Sequence, residues 1–578
     1  MNLSNLLVEN FIKNKNIIFL LLFAICNLQF VICNSQDYLG FANSPFAGVT
    51  GIDVNPASIV NNPRKWDITL FGMNLGVGNN YMGLQKRALE HTGKLTTGDY
   101  PAFSDEDFIN NYLSKRDNGK PISVHVALNL TLPSFMFTRK KHKDAFAFTC
   151  KSRIYANVDG IDPDIVQLAL SGGTDSTLFF QDLTATGISA QTMIWNEYGI
   201  TYGKTVMQTN NERLNVAGRL KLLQGLYSMY VFIKDVNYKF YEKDSLLVLS
   251  SQVNYGHSSN LEFNPEAAKF GFGGKPSFGL DLGASYEFYS LTEVRSKMSS
   301  QSNTTPLQHD YKYKLGFSLQ DLGWIKFLKP EHARDFTMEV NQDLDFSSLQ
   351  GSGETPLADV DDSLHAKYKM DASDDKFRMN LPTLASLQGD YYAGKNISVN
   401  STLNYAFQFR NNANKIHEIT AFSITPRWDW KWLGFYMPFS YNKYSHVRMG
   451  ASARIGPLIV GMADVLPLIS KRDVYGVDLH VMLKVPHIHL KKKNKHPRSK
   501  SKFNTNREDA KKTAKKNKDK SHMPKKDSAK KKKDHNIKSA NRDQKARKHI
   551  FPRVHIFKNK RKHKAKPENR DNIIYFQL

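Results

Sequence analysis

Apolar and polar residues alternate with period two along most of the chain, and helical periodicity is weak. Ile122, Val124, Val126, Leu128, Leu130 and Leu132 share one parity, and Ser123, His125, Asn129 and Thr131 share the other. The pattern returns with Leu214, Val216, Leu220 and Leu222 against Arg213, Asn215, Arg219 and Lys221. It returns again with Phe278, Leu280, Leu282, Ala284, Tyr286 and Phe288 against Asp281, Ser285 and Glu287. Later copies span Tyr311 to Leu319, Ile397 to Phe409, Leu433 to Tyr441, Val447 to Ile455 and Tyr475 to Val485. Each run is about ten residues, the length a tilted strand needs to cross a bilayer, whereas strands of soluble sheets average about five or six.

One parity is almost wholly apolar, and the other carries amides, small residues and charges. Lipid outside and a hydrated lumen inside require that division. Aromatic residues gather near strand ends, at Tyr286, Phe288 and Tyr289, at Trp428, Trp430 and Trp432, and at Tyr436, Tyr441 and Tyr444, as in an interfacial girdle. Unpaired strand edges cannot persist in hydrocarbon, so such strands must close on themselves. The pattern predicts an all-β protein, a transmembrane antiparallel β-barrel of roughly 12–16 strands over residues 65–486. Polar inserts Gln85–Lys120 and Asp343–Lys376 fit its outer loops. Arg at Val126 or Leu128 is expected to cost about 2–4 kcal/mol, and Arg at Asn129 almost nothing. The rival fold is a secreted soluble all-β binding protein of two sandwich domains, which would require short strands and a two-sided core.

The N-terminus supports export. Lys13 and Lys15 precede the apolar run Ile17 to Cys26, and Cys33-Asn34-Ser35 supplies small residues before Gln36. A basic start, short apolar core and small-residue exit make residues 1–35 a signal peptide, since the run is too short for a membrane anchor. Cleavage there leaves Cys150 as the single thiol, on the apolar parity of its segment, and excludes a disulfide scaffold.

Charge divides the chain further. The net charge is +26, but 26 Lys and 7 Arg against 8 acidic residues in 487–578 leave +25 on that tail alone. Its composition cannot bury a core and predicts a disordered basic extension, lying in the periplasm once the last strand has closed the barrel. Anionic polymers or membrane surfaces are its expected partners; nucleic acid is disfavoured by export and by widely spaced aromatics. Asp359, Asp361, Asp362, Asp371, Asp374 and Asp375 match no calcium-loop spacing, and His487 with His489 lack a third zinc ligand. No metal or cofactor is indicated. No nucleophile elbow, phosphate loop or catalytic acid pair occurs, so no enzyme chemistry is indicated either.

The stretch from Gln36-Asp37-Tyr38-Leu39-Gly40-Phe41 through Asp53-Val54-Asn55-Pro56-Ala57-Ser58 resembles the start of an uncharacterised family of Bacteroidetes outer-membrane barrel proteins. Gly274-Lys275-Pro276-Ser277-Phe278-Gly279-Leu280-Asp281-Leu282-Gly283 and Ser318-Leu319-Gln320-Asp321-Leu322-Gly323 resemble that family too. More distantly, Asn55, Pro56 and Ala57 are similar to the hatch motif of long-chain fatty-acid and aromatic-hydrocarbon outer-membrane transporters. That resemblance implies a plug-like segment at residues 36–64. The expected function is a plugged channel for small hydrophobic or amphipathic solutes, with Arg213, Asn215, Arg219 and Lys221 facing its lumen. The alternative is a non-transporting barrel that scaffolds surface or secretion proteins; an open lumen favours the first and a filled one the second.

Overall fold

The structure is a computed structural model. It describes residues 38–486 apart from 61, 87, 89–110, 117, 140, 171–175, 243–244, 260–273, 290–310, 331–342, 346–374, 409–415 and 471. The signal segment, the tail and all but Asp375 of the acidic cluster lie outside the described residues, as do His487 and His489. No described helix is long and apolar enough to cross a membrane.

Fourteen antiparallel staves form a ring. The first, β1 (Trp66–Asn79), pairs with β2 (Ile122–Thr131, continued by Ser134–Arg139). The ring proceeds through β3 (Asp144–Ile161), β4 (Leu183–Gln208), β5 (Glu212–Glu242), β6 (Ser277–Phe288) and β7 (Tyr313–Leu328). Then come β8 (Lys376–Asn380 with Leu384–Gly394), β9 (Ile397–Ala406) and β10 (Ala421–Asp429). The last four are β11 (Leu433–Tyr436 with Phe439–Asn442), β12 (His446–Met449 with Ala451–Ile455), β13 (Leu458–Met462) and β14 (Gly476–Lys484). Closure is made by β14 against β1, from Thr69 opposite Lys484 to Gly78 opposite Gly476. The expected all-β barrel of 12–16 strands is what the chain forms.

The two ends differ. Most turns at the end where β1 starts and β14 stops are short, such as 209–211, 395–396 and 456–457. At the opposite end most links are long, including 80–121, 162–182, 243–276 and 329–375. One long link, 289–312, sits at the short-turn end.

The faces are inverted relative to a soluble protein. Leu220 is 55% exposed, Leu315 59% and Ile200 65%, whereas Asn215, Thr201 and Ser318 are fully buried. Backbone pairing is complete around the ring, so lipid can cover the apolar exterior without stranding polar groups. Aromatic residues ring the short-turn end: Phe146 beside Tyr202 at 4.9 Å, Tyr313 beside Tyr391 at 5.2 Å, and Trp428 stacked with Phe435 at 5.8 Å. Three residues expected in that girdle depart from it. Tyr436 and Tyr444 point inward and Tyr289 is buried, because each donates or holds a polar contact that lipid could not supply, such as Tyr436 Oη to Asp429 at 2.6 Å.

Two staves run to more than twice the expected ten residues, β4 with 26 and β5 with 31. Their extra length continues past the long-loop end, where β5 also pairs with Ser245–His257 and that strand with Asp343–Asp345. Leu178, Ala185, Val236, Tyr238 and Tyr255 form a separate apolar cluster there, which gives the extension a core of its own.

Candidate functional site

Residues 38–60 do not join the wall. They wind through the ring as turns and two 3-10 segments, Gly48–Asp53 and Pro56–Ile59, with almost every residue buried. Glycine and proline punctuate this stretch and prevent a strand. Tyr38, Phe41, Phe46 and Val54 pack on Tyr436, Ile459 and Met482; Val49, Ile52 and Ile59 pack on Met136, Ala145 and Ala147.

Asn55 is the point of attachment. Its Oδ1 accepts from the Ala57 N–H at 2.9 Å and caps the second 3-10 segment, whose first residue is Pro56. Its Nδ2 donates to the Ala284 carbonyl at 2.9 Å, to Gln388 Oε1 at 2.9 Å and to the Phe317 carbonyl at 3.3 Å. One side chain therefore fixes the local turn and ties it to β6, β7 and β8. The wall leaves room for this contact. A Cβ on Gly283 would lie 2.3 Å from Asn55 Oδ1 and 2.8 Å from Pro56 Cδ.

Asp53 makes a second tie, to Lys151 at 2.8 Å and Arg219 at 3.4 Å. These belong to a buried ionic cluster that fills the middle of the lumen. Arg219 also meets Glu197 at 2.9 Å; Lys221 meets Asp321 at 2.6 Å and Asp281 at 2.8 Å; Arg153 meets Asp321 at 2.9 Å. Asp321 reaches the interior through a bulge. Its φ of 55° and the register shift opposite Leu280 and Leu282 turn both Gln320 and Asp321 inward, and its N–H donates to Asp281 at 2.7 Å. Beyond the bulge the inward parity of β7 changes to Ile325 and Phe327, which join Trp195, Tyr230, Phe377 and Met379 in an apolar cluster.

The four lumen candidates are all on the inner face of β5, with different neighbours. Arg219 and Lys221 stand in the ionic cluster. Asn215 donates to Ser285 at 3.3 Å, and Arg213 meets Glu287 at 3.5 Å nearer the short-turn end. Their partners Glu197, Asp281 and Asp321 are missing from that set of candidates, although Asp281 already shared its segment's polar parity. Asn129, expected to tolerate Arg, accepts from Arg153 at 3.0 Å and donates to Tyr155 at 3.3 Å, so that position is packed rather than hydrated.

Cavities in the middle of the lumen are small. A larger cavity, about 470 Å³, opens at the long-loop end. His417 meets Asp159 at 2.7 Å on its wall, and Arg116, Lys120, Lys443 and Gln191 line it. Among the described residues no group of His, Cys, Asp and Glu is placed to hold a metal.

The sequence matches the Family of unknown function (DUF5723) over residues 56–464. The chain belongs to that family. The DUF5723 match starts at Pro56 inside the lumenal segment and includes both Asp281 and Asp321. A comparison with curated proteins gives no match. Among solved structures, the Ralstonia pickettii toluene transporter TbuX is 9% identical, with 79% of this chain and 97% of that chain covered at a TM-score of 0.33. A Pseudomonas aeruginosa FadL homologue is 10% identical, with 78% and 96% covered at 0.34. The Pseudomonas putida toluene transporter TodX is 10% identical, with 79% and 98% covered at 0.28. These superpositions are too loose to carry an argument, and the fold rests on the strand pairings above.

Proposed function

We propose that the protein is an outer-membrane barrel whose lumen is a plugged passage for a small amphipathic solute, with residues 38–60 as the plug. The observation that carries this reading is that residues 38–60 precede the wall in the sequence and take no place in it. They are held by side-chain ties such as Asn55 and Asp53, and the ring closes without them. The apolar exterior and the aromatic ring at the short-turn end support placement in lipid. The short-turn end, from which the chain leaves at Pro486, is then periplasmic, and the Lys-rich tail is available to anionic polymers there.

A non-transporting scaffold is the second reading. It is favoured by the wall's own ion pairs, Lys221 with Asp281 and Asp321, which would remain after the plug left. Liposome swelling separates the two. The full mature chain should be nearly closed to small sugars and amino acids, and a chain lacking residues 38–60 should admit them. A folded barrel that stays closed without the segment is a scaffold.

A further inference from the structure

The ionic cluster and the plug account for the middle and the short-turn end of the lumen, but not for the cavity at the long-loop mouth. That cavity holds about 470 Å³, enough for a compact ligand of one or two sugar rings. Most of its lining residues carry polar side chains, and three of them are Lys or Arg. Arg116 comes from the link after β1, held by donation to the Tyr444 carbonyl at 2.9 Å and by stacking 3.6 Å over Tyr475. Lys120 precedes β2, and Lys443 lies in the turn between β11 and β12. Among the described residues of the lining, Asp159 is the single carboxylate.

Gln191 adds an independent observation. It stands on the inner face of β4, only 4% exposed, and its Oε1 has no hydrogen-bond partner. A buried acceptor left unpaired costs about 1–3 kcal/mol, so a donor arriving in the cavity is favoured there. Asp159 accepts from His417, from Ser123 and, at 3.4 Å, from Tyr444, and a carboxylate has capacity for a further donor. The cavity lining thus combines three cationic side chains with Asp159 and with one buried acceptor, Gln191 Oε1, that lacks a donor.

The geometry points to this mouth cavity as a binding site for a small anionic carbohydrate, its acidic group met by Arg116, Lys120 and Lys443 and its hydroxyls by Gln191 and Asp159. Charge-assisted contacts supply the affinity for the acid, and the unpaired Gln191 acceptor with the spare capacity of Asp159 the preference for a polyol. The site rests on the reading that the long-loop end faces outward. It needs no open passage, because ligand enters from the mouth.

Calorimetry of the full mature chain in detergent tests it with D-glucuronate, D-glucose and acetate. Glucuronate should bind saturably, with glucose and acetate each at least tenfold weaker. Lys443→Gln should weaken glucuronate at least fivefold and leave glucose unchanged, whereas Gln191→Leu should weaken both sugars. Heat-dependent migration on gels verifies that each variant is folded, and Lys120→Gln replaces Lys443→Gln if that variant fails. Absence of glucuronate binding by the folded wild type overturns the proposal. So do unchanged affinity in both lysine variants and equal binding of acetate. A barrel that binds glucuronate but stays closed without residues 38–60 keeps this site and loses the channel; one that opens without binding does the reverse.

Discussion

Asn55 concentrates two functions that are usually divided between residues. It caps a short turn and docks that turn on three staves, so its loss should be felt in the plug more than in the wall. Asn55→Ala removes a cap of about 0.5–2 kcal/mol and wall contacts of about 0.5–1.5 kcal/mol each. The segment should therefore dock about 2–6 kcal/mol less tightly. Hydrogen exchange over residues 38–60 should accelerate, while the protection of β6 and β7 stays within twofold. Gly283 tests the same contact from the opposite side without altering the plug sequence. Gly283→Val places a side chain where Asn55 and Pro56 now sit, and a β-branched residue suits a strand. The wall should hold and the plug should yield, giving liposome swelling close to that of the chain lacking residues 38–60. A Gly283→Val barrel with normal exchange in the plug would show that the wall adapts instead.

At the scale of the strand, alternation alone assigns faces correctly because lipid and lumen impose opposite chemistry on neighbouring positions. That is why Val216, Leu220 and Leu222 could be placed outside and Asn215, Arg219 and Lys221 inside from their order in the sequence. What alternation cannot disclose is whether the inside is wet. Arg219 and Lys221 suggest a hydrated path when read along β5, yet their carboxylate partners arrive from β4, β6 and β7, and the result is a packed ionic core. The bulge at Asp321 was equally hidden, since it breaks the alternation on which the reading depends. The mouth residues Arg116, Lys120 and Lys443 lie on links with no periodicity to interpret. One consequence changes the expected mutational pattern. Leu128→Arg should still cost about 2–4 kcal/mol in a bilayer, through lipid. Asn129→Arg should now cost a similar or larger amount, about 3–5 kcal/mol, by placing a cation beside Arg153 in a buried network. Urea titration of both variants in liposomes measures this, and a near-neutral Asn129→Arg would mean that the lumen at β2 is hydrated.

For the whole molecule, the decisive contact is between the two ends of the barrel sequence. β14 pairs with β1 through nearly its full length and with β13 on its other edge, and Val477, Leu479 and Leu483 face outward while His480 and Lys484 face in. Lys484 also reaches Asp67 at 2.7 Å and donates to the Ala47 carbonyl, so the last residue of the last stave joins the wall to the lumenal segment. Without β14, β1 and β13 would each present an open edge to hydrocarbon, at a cost of several kcal/mol for every unpaired group. The charged stretch after Pro486 has no such duty, because ring closure is complete before it begins. A chain ending at Lys491 should therefore insert into liposomes and keep its heat-dependent gel migration, whereas one ending at Asp473 should do neither. Supplying residues 474–491 as a peptide should restore some assembly to the shorter chain, since the missing element is one strand with two waiting edges. If the Asp473 chain closes on its own, β1 must pair with β13 directly, and the fourteen-stave ring would not be the smallest barrel this sequence can form.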